Sequence, residues 1–242
     1  MVQSIEPSIR IPMSSEFFCD GHYYVLTSSS LGESNYTPLE LANILRGANA
    51  PEIEALLRQG VCIPLYFEAD CALDGFTLFV IGDLTEEESD EWIGKFVAKL
   101  NVPCGKLVLL CGGGDEEMIT EAISGNPPDP NYVVFQAIDL PPGDYQVEIY
   151  AYLQSTIARC HLEDYKEAKK GSVLEWFNWQ DYEDLEDGDI GYIIRLIPFT
   201  TEPPLPKLDP DIGWCSVFEF RESEWIDVFQ PPRRIVNRIT SN

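Results

Sequence analysis

The sequence predicts an α+β fold with a mostly antiparallel, sandwich-like β core, a few covering helices and one β-α-β crossover. Three observations favour this class: strand-like segments outnumber helical ones, turns join most of them, and the helical segments carry sharp start signals. Hydrophobic residues make up 45% of the 242 positions, which is enough to bury a sizeable core. We expect a single domain over residues 1–242, with a split near 126–131, in the loop "NPPDPN", as the alternative.

The first elements are expected to be short strands near Ile9–Met13 and His22–Thr27. A helix follows in "YTPLELANILRG", because Thr37 is suited to the N-cap and Glu40 completes a capping box with it. Gly47 is expected to end this helix. The sequence thus moves from a strand pair to a covering helix.

A second helix is expected in "APEIEALLRQG", where Pro51 suits the first turn and Gly60 suits the end. The stretch "FTLFVIG" that follows is apolar at successive positions, which predicts a strand covered on both faces. These two segments therefore extend the pattern of strands packed beneath helices.

The β-α-β crossover is predicted between "FTLFVIG" and "KLVLLC". Thr85 and Glu88 form a capping box at the start of the intervening segment, "LTEEESDEWIGKFVAKLN". Five apolar side chains of this segment share one face if it is helical: Trp92, Ile93, Phe96, Val97 and Leu100. We therefore expect a long helix that joins two parallel strands.

The glycine run "CGGGD" is expected to be a turn, with Asp115 as the N-cap of a short helix. It matches neither of the glycine-rich phosphate-binding patterns, and acidic residues stand where a phosphate would lie. No nucleotide cofactor is predicted.

The segment "YVVFQAIDLPPGDYQVEIYAYL" predicts an antiparallel hairpin. Pro141, Pro142 and Gly143 supply the turn, because proline presets φ and glycine accepts positive φ. Alternation over the second strand predicts one buried face, with Tyr145, Val147 and Ile149, and one wetter face, with Gln146, Glu148, Tyr150 and Tyr152. Later strands are expected in "GYIIRLIPF" and "WCSVFEF", with an exposed loop between them.

The charge of the chain limits its partners. Sixteen Lys and Arg against 41 Asp and Glu give a formal net charge of −25. A field of this sign repels nucleic acid and anionic membranes, so we predict neither as a partner and favour a basic protein. No apolar run is long enough to span a membrane and no secretory signal is recognisable at the start, so a cytoplasmic location is expected.

The seven cysteines are odd in number and include no C-x-x-C pair. Several lie within apolar runs, where free cysteine behaves as a small buried hydrophobe. The sequence therefore predicts no disulfide framework and indicates a reducing compartment.

No catalytic or metal-binding signature is present. The acidic run "QDYEDLEDGDIG" does not fit the calcium-loop spacing, and two histidines are too few for a histidine-based zinc site. Neither a metal nor any other cofactor is predicted.

The strongest binding candidate is the aromatic cluster in "EWFNWQDY", with Trp176, Phe177, Trp179 and Tyr182. If exposed, such side chains form a binding hot spot or stack on a sugar. We predict a non-enzymatic protein-interaction module. The alternative is a carboxylate-based hydrolase acting on carbohydrate, and oligomeric state is left open.

Overall fold

The computed structural model contains two mostly antiparallel sheets with helices around them, which confirms the α+β class. It describes residues 8–74, 77–125, 134–163, 170 and 190–221. The strands are β1 (Ile9–Pro12), β2 (Tyr23–Ser28), β3 (Cys62–Tyr66), β4 (Thr77–Ile81), β5 (Gly94–Val102), β6 (Lys106–Cys111), β7 (Phe135–Asp139), β8 (Gly143–Ala151), β9 (Tyr192–Pro198) and β10 (Glu219–Phe220). The helices are α1 (Pro38–Gly47), α2 (Ala50–Gln59), α3 (Glu86–Glu91), α4 (Glu116–Ser124) and α5 (Thr156–Glu163).

The larger sheet has six strands in the order β1-β4-β9-β8-β5-β10, and the smaller has four in the order β3-β2-β6-β7. Side chains from both sheets meet in one core cluster. Phe67, which follows β3, packs edge-on against Tyr24 of β2 and Tyr192 of β9, at ring-centroid distances of 5.6 and 5.4 Å. These contacts join the two layers, as expected for a sandwich.

The start signals are confirmed, whereas Gly47 is the last residue of α1 and Ala48 takes the left-handed conformation expected of a glycine stop. Thr37 and Thr85 each cap a helix through a reciprocal capping box, and Asp115 accepts hydrogen bonds from the first backbone N–H groups of α4. Gly60 adopts the left-handed conformation after α2. No helix among the described residues is both long and apolar enough to cross a membrane.

The long helix predicted after Thr85 is wrong. Helix α3 ends at Glu91, and Gly94 begins β5, whose residues alternate between buried and half-buried. The apolar positions of this segment satisfy both a helical period and a period of two. Pairing with β8 over all nine residues of β5 decides between them, because it satisfies the backbone of both strands.

The predicted β-α-β crossover between "FTLFVIG" and "KLVLLC" is also wrong. Strand β4 belongs to the six-stranded sheet and β6 to the four-stranded sheet, so they are not parallel neighbours. A parallel pair does exist, between β4 and β9.

The predicted hairpin is also wrong, although the register of its second strand is confirmed. Strand β7 pairs with β6, whereas β8 pairs with β5 and β9 in the other sheet. The prolines before Gly143 therefore carry the chain from one sheet to the other. Tyr145, Val147 and Ile149 are buried as predicted. The opposite face is less exposed to solvent than predicted, because Glu148, Tyr150 and Tyr152 are buried too.

The cysteines are not all unpaired. Cys19 and Cys111 form a disulfide between residues 92 positions apart in sequence, with Cα atoms 5.3 Å apart. Cys62 and Cys215 are free and buried, as expected for cysteine in apolar runs.

Candidate aromatic binding surface

A pair of solvent-accessible tyrosines lies where β2 begins and β3 ends. Tyr23 and Tyr66 are direct cross-strand partners, and their ring centroids are 5.2 Å apart. Tyr24 points to the core between the sheets, so alternation turns Tyr23 to the opposite, outer face. Tyr23 is 40% exposed and Tyr66 is half-buried, so this pair is accessible from solvent.

Trp214 packs against Tyr23, one member of this tyrosine pair. Its ring meets Tyr23 edge-on at 5.0 Å, and it is only 4% exposed. The indole Nε1 donates to the carbonyl oxygen of Leu45 at 3.1 Å, which attaches the ring to the end of α1. Hydrogen bonds from Cys215 N to Pro64 O and from Tyr66 N to Cys215 O hold the segment of Trp214 beside β3.

His22 extends the row of rings on the other side. It stacks on Tyr66 at a centroid distance of 5.8 Å, and its Nε2 lies 3.2 Å from Asp70 Oδ1. Its Nδ1 lies 3.0 Å from the carbonyl oxygen of Phe67. These two contacts fix the orientation of the imidazole ring beside Tyr66. We call the four rings the aromatic ladder: His22, Tyr66, Tyr23 and Trp214.

Carboxylates surround the outer end of the ladder. Burial, together with the neighbouring Tyr23, Glu68 and Asp209, raises the pKa of Tyr66, so its hydroxyl lies in a negative field. A hydrogen bond from Ser216 is the main cause that lowers the pKa of Asp209, and this carboxylate remains ionised. Glu68 and Asp70 are exposed. We call Glu68, Asp70 and Asp209 the acidic rim.

A second charged group lies on the outer face of the six-stranded sheet, around Glu148. Its carboxylate accepts hydrogen bonds from four donors: Lys95 Nζ at 2.7 Å, Gln146 Nε2 at 2.9 Å, Tyr150 Oη at 2.7 Å and Arg195 at 3.0 Å. Burial opposes its ionisation, but these donors outweigh burial and lower its pKa. A carboxylate saturated in this way is poorly suited to proton transfer, so we assign it a role in stability.

The glycine run is a turn that allows close packing. A side chain at Gly113 would lie 2.6 Å from Val25 and 2.7 Å from Trp214. Arg46 Nε donates to the carbonyl oxygen of Gly114 at 3.0 Å. The run therefore brings β6 close to the aromatic ladder, which agrees with the turn and N-cap predicted from the sequence.

The four residues proposed from the sequence lie outside the described residues, as does the acidic run that follows them: Trp176, Phe177, Trp179 and Tyr182. Within the described ranges, no group of three or more His, Cys, Asp or Glu side chains is arranged to hold a metal ion. Sequence reasoning missed the aromatic ladder, because its members come from distant segments. The only local signal is the pair of tyrosines at the start of β2.

Comparison with known proteins gives little to transfer. No family model and no curated protein matches the chain. Among solved structures, the product of crocagin biosynthetic gene J is similar with a TM-score of 0.34 and 16% identity, over 79% of this chain and 95% of that one. ComJ from Bacillus subtilis, an inhibitor of the DNA-degrading activity of NucA, is similar with a TM-score of 0.33 and 10% identity, over 80% of this chain and 96% of that one. Similarity at this level assigns neither a family nor a function.

Proposed function

We propose that this chain is a non-enzymatic binding module whose aromatic ladder docks a basic protein. The observation that carries the proposal is the exposed Tyr23–Tyr66 pair, which is braced by a buried tryptophan and surrounded by carboxylates. Tyrosine and tryptophan are enriched among the residues that dominate binding energy at protein interfaces. A rigid base also reduces the conformational entropy lost on binding.

The acidic rim favours a cationic side chain as the group that meets the rings. Arginine or lysine binds the face of an aromatic ring and pairs with a carboxylate at the same time. The protein uses this arrangement within its own fold, where Lys95 Nζ lies 4.9 Å from the ring centroid of Tyr150 and also contacts Glu148. A basic partner would reproduce that geometry at the ladder.

The alternative, a carboxylate hydrolase acting on carbohydrate, requires two close carboxyl groups in one cleft. A groove of about 530 Å³ is lined by Leu57, Arg58, Lys99 and residues 202–206. Its carboxylate, Glu202, is paired with Lys99 at 3.1 Å. This groove offers one carboxylate rather than two, and Trp176 and Trp179, the aromatic residues proposed to stack on a sugar, lie outside the described residues. Release of reducing sugar from an oligosaccharide by the purified protein would favour it.

The experiment that tests the binding module is affinity capture from source-cell lysate at low and high salt, with three versions of the chain in parallel. The first is the wild type, the second is Tyr23→Ala, and the third is Leu39→Ala, which removes another exposed apolar side chain, on α1. We expect the wild type and Leu39→Ala to retain basic proteins at low salt. We expect Tyr23→Ala to release them.

The affinity of a captured partner is then measured by calorimetry. Loss of an interface tyrosine that dominates binding costs about 2 kcal/mol, or about 30-fold in Kd. Equal capture by Tyr23→Ala and the wild type, or retention that does not change with salt, would refute the ladder as the docking site.

A further inference from the structure

Three cysteines and one carboxylate lie together beneath the aromatic ladder. The Cys19–Cys111 disulfide ties the segment before β2 to the end of β6. The third cysteine, Cys71, lies in the segment that follows β3, and its Sγ donates to the carbonyl oxygen of Cys19 at 2.9 Å. The free thiol of Cys71 therefore contacts the backbone of one member of the disulfide.

Asp74 organises this group. Its carboxylate accepts hydrogen bonds from Cys19 N at 2.8 Å and Tyr24 Oη at 3.3 Å, and it also hydrogen-bonds to the Cys71 thiol. Burial and the surrounding carboxylates of Asp74, Asp70 and Asp20 raise the pKa of Cys71. Burial also raises the pKa of Asp74, which makes it a better proton acceptor. The thiol is thus held protonated beside a base.

The backbone at Cys71 shows that this placement has a cost. Its φ of 56° lies in the left-handed region, which is disfavoured for residues that carry a Cβ atom. Asp74 N donates to the carbonyl oxygen of Cys71 at 3.0 Å and closes the turn that holds this conformation. The fold therefore keeps the thiol next to Cys19 at some expense in backbone energy.

We propose that Cys19, Cys71 and Cys111 form a redox-active site in which the disulfide exchanges between Cys19–Cys111 and Cys19–Cys71. Asp74 takes the proton from the Cys71 thiol, and the resulting thiolate attacks Cys19 Sγ. The bond from Cys19 to Cys111 breaks as the bond from Cys19 to Cys71 forms. Cys111 leaves as a thiolate and receives the proton. No external oxidant or reductant is consumed, because one disulfide and one thiol are present before and after the step.

The remaining buried thiols provide an internal comparison. Cys62 and Cys215 are fully buried, and burial raises the pKa of Cys62 to about 12. Both thiols are free and lie in the hydrophobic core. They are expected to stay reduced while the exchange occurs.

The exchange bears on the acidic rim, and this consequence alone depends on the proposed function. Asp70 precedes Cys71 directly and pairs with His22 of the ladder. A Cys19–Cys71 bond ties the segment of Asp70 to the base of β2 and frees the end of β6. The two disulfide forms therefore present the rim differently to a partner.

The test is to map the disulfides of the full chain, purified without reductant and blocked with N-ethylmaleimide at low pH. Digestion with trypsin and a glutamate-specific protease cuts after Glu68 and so separates Cys62 from Cys71. We expect both linkages in wild type held at pH 8. Cys111→Ser should convert to the Cys19–Cys71 form in oxidised glutathione, whereas Cys71→Ser should retain Cys19–Cys111.

The proposal is overturned if wild type contains only the Cys19–Cys111 linkage. It is also overturned if Cys111→Ser with a native circular dichroism spectrum leaves Cys19 and Cys71 alkylated or glutathionylated. If Cys111→Ser does not fold, the same disulfide mapping of Cys111→Ala and of the wild type tests the proposal instead. The readout is a covalent linkage, so failure of the partner-capture experiment would not affect this result.

Discussion

The carboxylate of Glu148 offers a sharp test of how the six-stranded sheet is held together. It is 5% exposed and lies between Lys95 and Arg195, whose side chains are 23% and 17% exposed. Glu148→Gln keeps the shape and one acceptor oxygen but removes the charge. The two cations are then left partly buried and under-compensated.

The size of the effect follows from burial. Removal of one member of a fully buried ion pair costs about 3–5 kcal/mol. The cations here remain partly solvated, and Arg195 keeps its bonds to Gly82 O at 2.7 Å and Asp83 at 3.0 Å. We therefore expect Glu148→Gln to lower the free energy of unfolding by about 2–3 kcal/mol. This loss corresponds to a fall in Tm of about 5–10 °C for a chain of this size.

The assay is urea unfolding at pH 7, followed by circular dichroism. The matched control is Glu202→Gln, which also removes a carboxylate paired with a lysine, but one whose side chain is 63% exposed. Exposed pairs contribute about 0–1 kcal/mol, so the control should unfold almost as the wild type does. Equal stability of both variants would refute the assignment of Glu148 as a buried, ionised centre.

The loss of stability caused by Glu148→Gln should also depend on pH. The folded protein lowers the pKa of Glu148 below its usual value of 4.5. Stability gained from such a group is complete above the unfolded pKa and is lost as the pH falls through the folded pKa. The difference between wild type and Glu148→Gln should therefore shrink below pH 4.5. A difference that stays constant as the pH falls would contradict ionisation as its origin.

Two further predictions concern the core and a surface thiol. Val147→Asp should destabilise the fold by several kcal/mol, because it places an unpaired charge at a fully buried position of β8, and calorimetric Tm measures this loss. The control Asp144→Asn, at an exposed position of the same strand, should leave Tm nearly unchanged. Cys104 should be the fastest thiol to react with iodoacetamide. Burial opposes its ionisation, but hydrogen bonds from Ser29 and Ser30 outweigh burial and lower its pKa to about 7. Its alkylation rate should level off above pH 8, and slower labelling than that of Cys62 would contradict the prediction.

Features set by neighbouring residues were predictable from the sequence. The capping boxes of α1 and α3 depend on residues three positions apart, and both are present. The buried face of β8 follows from alternation within one strand, and it is also correct. In each case the deciding contacts lie within one element.

Features set by distant pairing were not predictable in this way. The segment of β5 contains a helical stripe and a strand alternation at once, and only its pairing with β8 decides between them. The disulfide and the aromatic ladder join residues far apart in sequence. Tyr23 and Tyr66 become neighbours because β2 and β3 pair, and Trp214 reaches them only because its segment lies beside β3. No local pattern contains that information.

The distribution of cations explains why an acidic surface remains for a partner. With 16 Lys and Arg against 41 Asp and Glu, the chain cannot neutralise its own carboxylates. Several of its cations are engaged within the fold: Arg10 with Glu88, Lys95 and Arg195 with Glu148, and Lys99 with Glu202. Arg221 caps the end of α3 through the carbonyl oxygen of Ser89 at 2.8 Å and lies 4.3 Å from the ring centroid of Trp92. Except for Lys99, these cations stabilise buried carboxylates or a helix end, whereas Glu68 and Asp70 face solvent beside the aromatic ladder. A basic partner would supply the positive charge that the chain uses within its own fold. We therefore expect the acidic rim to determine specificity and association rate, and the tyrosines to supply most of the affinity.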